Sequence, residues 1–223
     1  KLLKALVIDH CEDNSLSSEG IMHEGSNSSV FGLRGIPASA EEIMVARDII
    51  LADEADTAIH IAHLSTQGSV RLVREAKKRS MKLTAEATPH HLLLTDASWE
   101  HYETVYKVNP PLRSQNDVQA LVEAVQDGTV DVIATDHAPH TDADKRCEFT
   151  RAAFGISGFE TALGSLMSLV HEGKINLAML ISKLTSEPAR ILGGKYGGLG
   201  TLAVGVPADI TLFDPDMKWV VDT

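Results

Sequence analysis

Aliphatic, β-branched runs recur along the chain, and each closes on a polar tip. Ala5 to His10, Ala58 to His63 and Val132 to Asp136 begin apolar and finish in a histidine or an acid. Such runs predict buried strands that deliver polar side chains at their C-terminal ends. A fourth run, Lys82 to Ala87, leads into Thr88-Pro89-His90-His91. Between these runs the apolar spacing changes to the helical period. Ser39-x-x-Glu42 has the form of a capping box ahead of a helix with Ile43, Ala46 and Ile50 on one face. A helix from about Gly68 turns Val70, Val73 and Ala76 inward, and Lys77, Lys78 and Arg79 suit its negative C-terminal end. Ser114 caps a third helix bearing Val118, Leu121, Val122 and Val125. Helical stretches from about Glu160 to His171 and from Leu177 to Leu184 follow the last strand. Glu12 to Ser29 reads as a long polar loop, Asn109-Pro110-Pro111-Leu112-Arg113 as a rigid one, and Gly200 to Asp214 as a hairpin.

Strands alternating with helices predict an α/β fold with a parallel sheet. Polar residues gathered at strand C-termini match the active face of a (β/α)8 barrel, or the crevice of a doubly wound sheet. No G-x-G-x-x-G or G-x-x-x-x-G-K-[ST] follows a strand. A complete barrel takes roughly 250 residues and eight strands, so four strands in 223 residues predict half a barrel. The expected division is a partial barrel over residues 1–195 and, over 196–223, the start of a β-rich unit.

Composition narrows the function. The formal net charge of −11 argues against a nucleic-acid partner, and no basic cluster points to an anionic membrane surface. No run approaches the ~18 apolar residues of a membrane span. Two cysteines, Cys11 and Cys147, without a C-x-x-C do not form a disulfide framework, and the cytoplasm is the expected compartment.

His10, His63 and Asp136 are the candidates for chemistry. Neighbouring strands lie ~4.8 Å apart, so side chains from several strand ends can converge on one ion. Two imidazoles and a carboxylate suit Zn²⁺ or a similar divalent metal. Each histidine alone could equally be a structural residue. His60 alternates away from His63 and is expected to be structural, His90 and His91 to pack or support, and His137 to be a hydrogen-bonded support. His23, His101 and His171 are expected to face solvent, and Cys11 to be a small core residue.

Five ordered motifs carry a resemblance. They are His10-Cys11-Glu12-Asp13-Asn14-Ser15-Leu16, His63-Leu64-Ser65-Thr66, Thr88-Pro89-His90-His91-Leu92-Leu93-Leu94-Thr95, Asn109 to Arg113, and Ala134-Thr135-Asp136-His137-Ala138-Pro139-His140. Together they resemble the class I dihydroorotases of the amidohydrolase superfamily. The resemblance implies the C-terminal half of a distorted (β/α)8 barrel, about strands 5 to 8, with part of a small β domain. It implies reversible cyclisation of N-carbamoyl-L-aspartate to L-dihydroorotate in pyrimidine synthesis, with a zinc pair. By position, His10 and His63 resemble ligands of one zinc. Asp136 resembles the ligand of the other and the proton shuttle. Asn109 and His140 resemble substrate-binding residues, as do Phe154 and Gly155.

The family's His-x-His motif, the arginine after it and the acid that bridges the metals have no counterpart in the 223 residues. The chain is therefore expected to be inactive alone. A hydantoinase, dihydropyrimidinase or allantoinase is the alternative on the same scaffold. A non-catalytic scaffold of aspartate transcarbamoylase is the alternative from another class. The partners implied are a small-molecule substrate and a second copy or aspartate transcarbamoylase.

Overall fold

The computed structural model describes residues 5–98, 101–193 and 198–221. In chain order the elements are β1 (Val7–Asp9), α1 (Asn14–Ser17), β2 (Met22–His23), α2 (Ser26–Phe31), β3 (Gly35–Ile36), α3 (Ala38–Ala55) and β4 (Ile59–Ile61). There follow α4 (Gln67–Lys78), β5 (Leu83–Ala87), α5 (Pro89–Leu93), a 3-10 turn over Thr104–Tyr106, α6 (Gln115–Asp127) and β6 (Val132–Ile133). The last are α7 (Asp142–Lys145), α8 (Ala162–His171), α9 (Leu177–Leu184) and α10 (Ser186–Leu192).

β1, β4, β5 and β6 form one parallel sheet in that order, with Ile8 opposite His60, His60 opposite Thr84, and Glu86 opposite Val132. The strands run in sequence with helices between them, as consecutive βα units of a barrel do. Period-two alternation divides the two faces of the sheet. Ile59, Ile61, Leu83, Ala85 and Ala87 pack outward against Val45 and Ile49 of α3, Val70 and Val73 of α4, and Leu121 and Val125 of α6. His60, Thr84 and Glu86 occupy the opposite face. There His60 Nε2–H donates to Glu86 Oε2 at 3.0 Å, and its Nδ1 lies 2.8 Å from the Thr84 hydroxyl.

The sequence reading of α4, α6 and α9 agrees with the structure. Val70, Val73 and Ala76 are buried, and Thr66 caps α4. Ser114 and Asp117 make a capping box for α6. Several expectations are corrected. α3 begins at Ala38, with Pro37 rather than Ser39 at its cap. It buries Glu41, Val45, Asp48, Ile49 and Ala52, whereas Ile43 and Ile50 are exposed. The cause is tertiary, because Glu41 turns inward to accept the Ser65 and Thr66 amides at 3.0 and 3.3 Å.

Glu12 to Ser29 is not one loop. It carries α1, β2 and most of α2, and β2 pairs in parallel with β3. Gly200 to Asp214 forms no strand among the described residues, and Leu202, Val204 and Leu212 stand exposed. A two-stranded hairpin without a covering element is marginal in water. The expected boundary at 195/196 falls on residues 194–197, outside the described residues.

Candidate functional site

The strand ends bring the sequence-predicted residues to one side of the sheet. His10 follows β1 directly, while His63 and Asp136 lie just past β4 and β6. Both of the latter have left-handed backbones, with φ of 28° at His63 and 47° at Asp136. Such conformations cost ~1–3 kcal/mol each in non-glycine residues and concentrate at functional sites. Neighbouring groups impose them. The His63 amide donates to Glu86 Oε1 at 3.2 Å, and the Leu64 amide donates to the Glu86 carbonyl at 2.9 Å. Beyond Asp136, His137 Nδ1 accepts the Gly158 and Phe159 amides at 3.0 and 3.2 Å and its ring stacks on Phe159. His137 is thus the support that the sequence led us to expect.

His10 Nδ1 lies 3.0 Å from His63 Nε2. The other nitrogen of His10, Nε2–H, donates to Glu12 Oε2 at 2.9 Å. That fixes the tautomer, so His10 Nδ1 presents a lone pair and the proton between the rings belongs to His63. Burial, then the neighbouring His10, push the His63 pKa down, while Asp136 and Glu86 oppose the shift. Two histidine nitrogens sharing a tetrahedral zinc at ~2.0–2.1 Å would lie ~3.3 Å apart. The observed 3.0 Å separation fits a shared cation with little movement.

Glu12 is a residue that the motif reading passed over. Its Oε2 also accepts Asn109 Nδ2–H at 2.8 Å, which joins His63, His10, Glu12 and Asn109 into one hydrogen-bonded chain. Burial pushes the Glu12 carboxyl up, but hydrogen bonds from Ser17, His10 and Asn109 outweigh it and hold it below its usual range.

Asp136 is exposed and, among the described residues, its carboxylate has no hydrogen-bond or ion-pair partner. The structure does not draw it into a three-donor cluster with His10 and His63. Among the described residues, the set whose donor atoms all lie within 4.8 Å is Asp9, Cys11 and Asp48. That set suits a metal poorly. Arg47 already pairs with both acids, at 3.2 and 2.6 Å. Burial and then the charge of Asp48 push the Cys11 thiol far up, so it stays protonated and behaves as the small core residue expected.

His140 and Phe154 meet directly, since His140 Nε2–H donates to the Phe154 carbonyl at 2.8 Å. Gly155 is buried with φ of 141°, and a Cβ there would lie 2.6 Å from the Ala138 carbonyl oxygen and 2.9 Å from His140 Nε2. Only glycine lets the two segments approach so closely. The Gly155 amide donates to the Lys107 carbonyl at 2.9 Å.

A buried network lies behind these groups. Arg113, 2% exposed, donates Nη1–H to the Ile36 carbonyl at 2.7 Å and Nε–H to Ser65 Oγ at 3.1 Å, and its Nη2 is 4.0 Å from Glu41. Ser65 Oγ–H in turn donates to Glu41. The loop after His63 and the loop carrying Asn109 are therefore locked to α3. Arg113 Nη1 also lies 3.3 Å from His23 Nδ1, so His23 is half-buried rather than solvent-facing as expected. His91 is fully enclosed, donating Nε2–H to the Pro110 carbonyl at 2.9 Å. His90 packs beside it, and among the described residues its buried Nε2 has no partner. The signal for Arg113 and Glu41 was faint in the sequence, because a charged side chain announces its burial only once its partner is known.

A family model described as dihydro-orotase-like matches residues 1–69. The dihydroorotase of Pelotomaculum thermopropionicum is 54% identical over 99% of this chain and 51% of its own length. That of Acetivibrio thermocellus is 50% identical over 97% of this chain and 50% of its own length. Among solved structures, the dihydropyrimidinase of Brevibacillus agri aligns with a TM-score of 0.79 at 26% identity, covering 93% of this chain and 47% of that one. The L-hydantoinase of Arthrobacter aurescens gives a TM-score of 0.79 at 24% identity and shares the fold. The four-stranded unit is thus about half of a (β/α)8 amidohydrolase barrel. With identity near one residue in two along almost its whole length, the chain is similar to the dihydroorotases and spans about half the length of the curated relatives it matches.

Proposed function

We propose that this chain is part of a zinc-dependent dihydroorotase, interconverting N-carbamoyl-L-aspartate and L-dihydroorotate in pyrimidine synthesis. The observation that carries the proposal is the His10–His63 pair, whose ring nitrogens lie 3.0 Å apart, in a chain 54% identical to a dihydroorotase. Its similarity to dihydroorotases exceeds the 26% and 24% identity to dihydropyrimidinase and hydantoinase structures, which favours a carboxylate-bearing ring over a neutral one.

His10 and His63 would hold one zinc ion, and Asp136 would help hold a second. When bound, such ions supply Lewis acidity and lower the pKa of water toward ~7. The remaining roles belong to the chain. Asp136, exposed at its strand end, takes the proton of the attacking water and returns it to the amide nitrogen as the ring opens. Glu12 keeps His10 in the tautomer that presents Nδ1. Asn109 and His140 bind the substrate, with His140 near its carboxylate. His140 already gives Nε2–H to the Phe154 carbonyl, so Nδ1 is the nitrogen left to face the substrate. Phe154 and Gly155 contact the ring through backbone groups. An anionic substrate in a chain of net charge −11 depends on such local donors and on the metal. A cytoplasmic enzyme suits the two free cysteines, and among the described residues no helix is long and apolar enough to cross a membrane.

The test is turnover by the full-length protein that contains this chain, with zinc, on dihydroorotate and on hydantoin. Dihydroorotate should be preferred, and Asp136→Asn should lower its turnover about 10²- to 10⁴-fold. A preference for hydantoin, or an Asp136→Asn variant with full activity, would overturn the proposal.

A further inference from the structure

We infer that Lys107 and Lys145 are positioning residues for the substrate-binding loop, and that Lys107 ties its separate parts together. The inference rests on the assignment of Asn109, His140, Phe154 and Gly155 to substrate binding. Between α7 and α8, residues 146–161 form no helix or strand, so their backbone carbonyls must find donors elsewhere. Two ammonium groups supply donors to three of these carbonyls, at Phe149, Thr150 and Ala153, and one of them also holds Thr104 and Lys107. Lys107 Nζ donates to the Phe149 and Thr150 carbonyls at 2.8 and 3.2 Å. Lys145 Nζ donates to the carbonyls of Thr104, Lys107 and Ala153 at 3.1, 3.3 and 2.8 Å.

Lys107 is 2% exposed, and among the described residues no carboxylate pairs with either lysine. Burying an ammonium without a counter-charge is costly unless other groups replace its water. Here the carbonyl dipoles do so, together with two aromatic faces, with Nζ 5.4 Å from the Phe149 ring centroid and 4.6 Å from that of Phe154. The same residue accepts the Gly155 amide on its own carbonyl and stands two positions before Asn109. Through the Phe154 carbonyl the connection reaches His140. One side chain and its peptide therefore touch Phe154 and Gly155 directly, reach His140 through the Phe154 carbonyl and stand two residues from Asn109. An apolar side chain of equal length would fill the space but leave the Phe149 and Thr150 carbonyls without this donor and Phe154 without its cation.

The experiment uses the full-length, zinc-loaded protein and the variants Lys107→Met, Lys145→Met and Lys145→Arg. Lys107→Met should speed amide exchange across residues 145–158 about tenfold or more while leaving β1, β4 and β5 unchanged. It should raise KM for dihydroorotate about tenfold with kcat within about threefold and zinc content unaltered, since a displaced binding group costs positioning first. Lys145→Met should show the same pattern, and Lys145→Arg, which keeps a multivalent cation at a half-buried position, should restore most of it. Should Lys107→Met fail to fold, the Lys145 pair decides. Unchanged exchange over 145–158 would overturn the inference. So would exchange that rises throughout the protein with loss of zinc, which is the signature of a merely structural role. If the wild-type protein turned over no dihydroorotate, the functional proposal would fall, and the exchange measurement would still decide the positioning role.

Discussion

Replacing Arg113 by methionine removes the cation from a contact whose two side chains are 2% and 5% exposed. Glu41 would remain buried on α3, still accepting the Ser65 and Thr66 amides but without a positive charge nearby. At the observed 4.0 Å, an effective dielectric of about 20 gives an attraction of about 4 kcal/mol. The Ile36 carbonyl and Ser65 hydroxyl lose their bonds from Arg113 as well. Breaking a buried pair from one side typically costs about 3–5 kcal/mol, and that is the expected loss for Arg113→Met. Removing the stranded charge should recover part of it, so Arg113→Met/Glu41→Gln should be less destabilised than the two single changes summed, by about 1–3 kcal/mol. Equilibrium unfolding in urea of the four members of this cycle reads both quantities. The coupling should also persist in high salt, because the pair is shielded from solvent ions. A single-variant loss below about 1 kcal/mol, or coupling below about 0.5 kcal/mol, would refute the idea that this pair locks the His63 and Asn109 loops to α3.

Gly155→Ala should displace the loop and break the His140–Phe154 bond, because its Cβ would lie 2.6 Å from the Ala138 oxygen at a φ of 141°. The expected loss of stability is about 1–3 kcal/mol, and a variant crystal structure with the loop unmoved would contradict it. Burial lowers the His90 pKa from 6.5 to about 4, so the unfolded chain binds a proton here that the folded chain refuses between those values. Its contribution, about 3 kcal/mol, is complete above pH 6.5 and lost as pH falls toward about 4. The stability of His90→Leu should depend less on pH across that window, and an identical pH profile would count against the assignment. Glu12→Leu leaves His10 Nε2–H and the Asn109 amide without their acceptor, and zinc affinity should fall about 10- to 100-fold in chelator competition. Undiminished affinity would show that Glu12 does not orient His10.

Much of the fold could be read from spacing alone. The apolar runs at Val7, Ile59, Leu83 and Val132 became the four parallel strands, and the helical periods at Val70, Val118 and Leu177 became α4, α6 and α9. In β5, β6, α4 and α6 the inward face is largely apolar, so local periodicity and burial agree, whereas β1, expected to be a buried strand, has Val7 and Ile8 exposed. α3 departs from this because its inward face carries Glu41 and Asp48, while Ile43 and Ile50 point outward. A period search follows the isoleucines and puts the buried face on the wrong side. The Gly200 to Asp214 stretch departs for the converse reason, since alternating apolar residues do not make a hairpin without a surface to cover them.

By itself the sequence determined which residue types stand at the strand ends, and hence that His10, His63 and Asp136 gather at the C-terminal end of a parallel sheet. Strand direction suffices for that, whereas the two-residue period alone would turn His63 to the face opposite His10. Tertiary structure decided which of them meet. His10 and His63 approach to 3.0 Å, and Asp136 stays outside their cluster. Only tertiary structure revealed Glu12 as the link to Asn109, Arg113 with Glu41 as the lock beneath, and Lys107 as the tie across the Phe154 loop. A charged side chain is buried only where its partner waits, and such partners can be remote: Phe149 lies 42 residues from Lys107, Ile36 77 from Arg113 and Asn109 97 from Glu12.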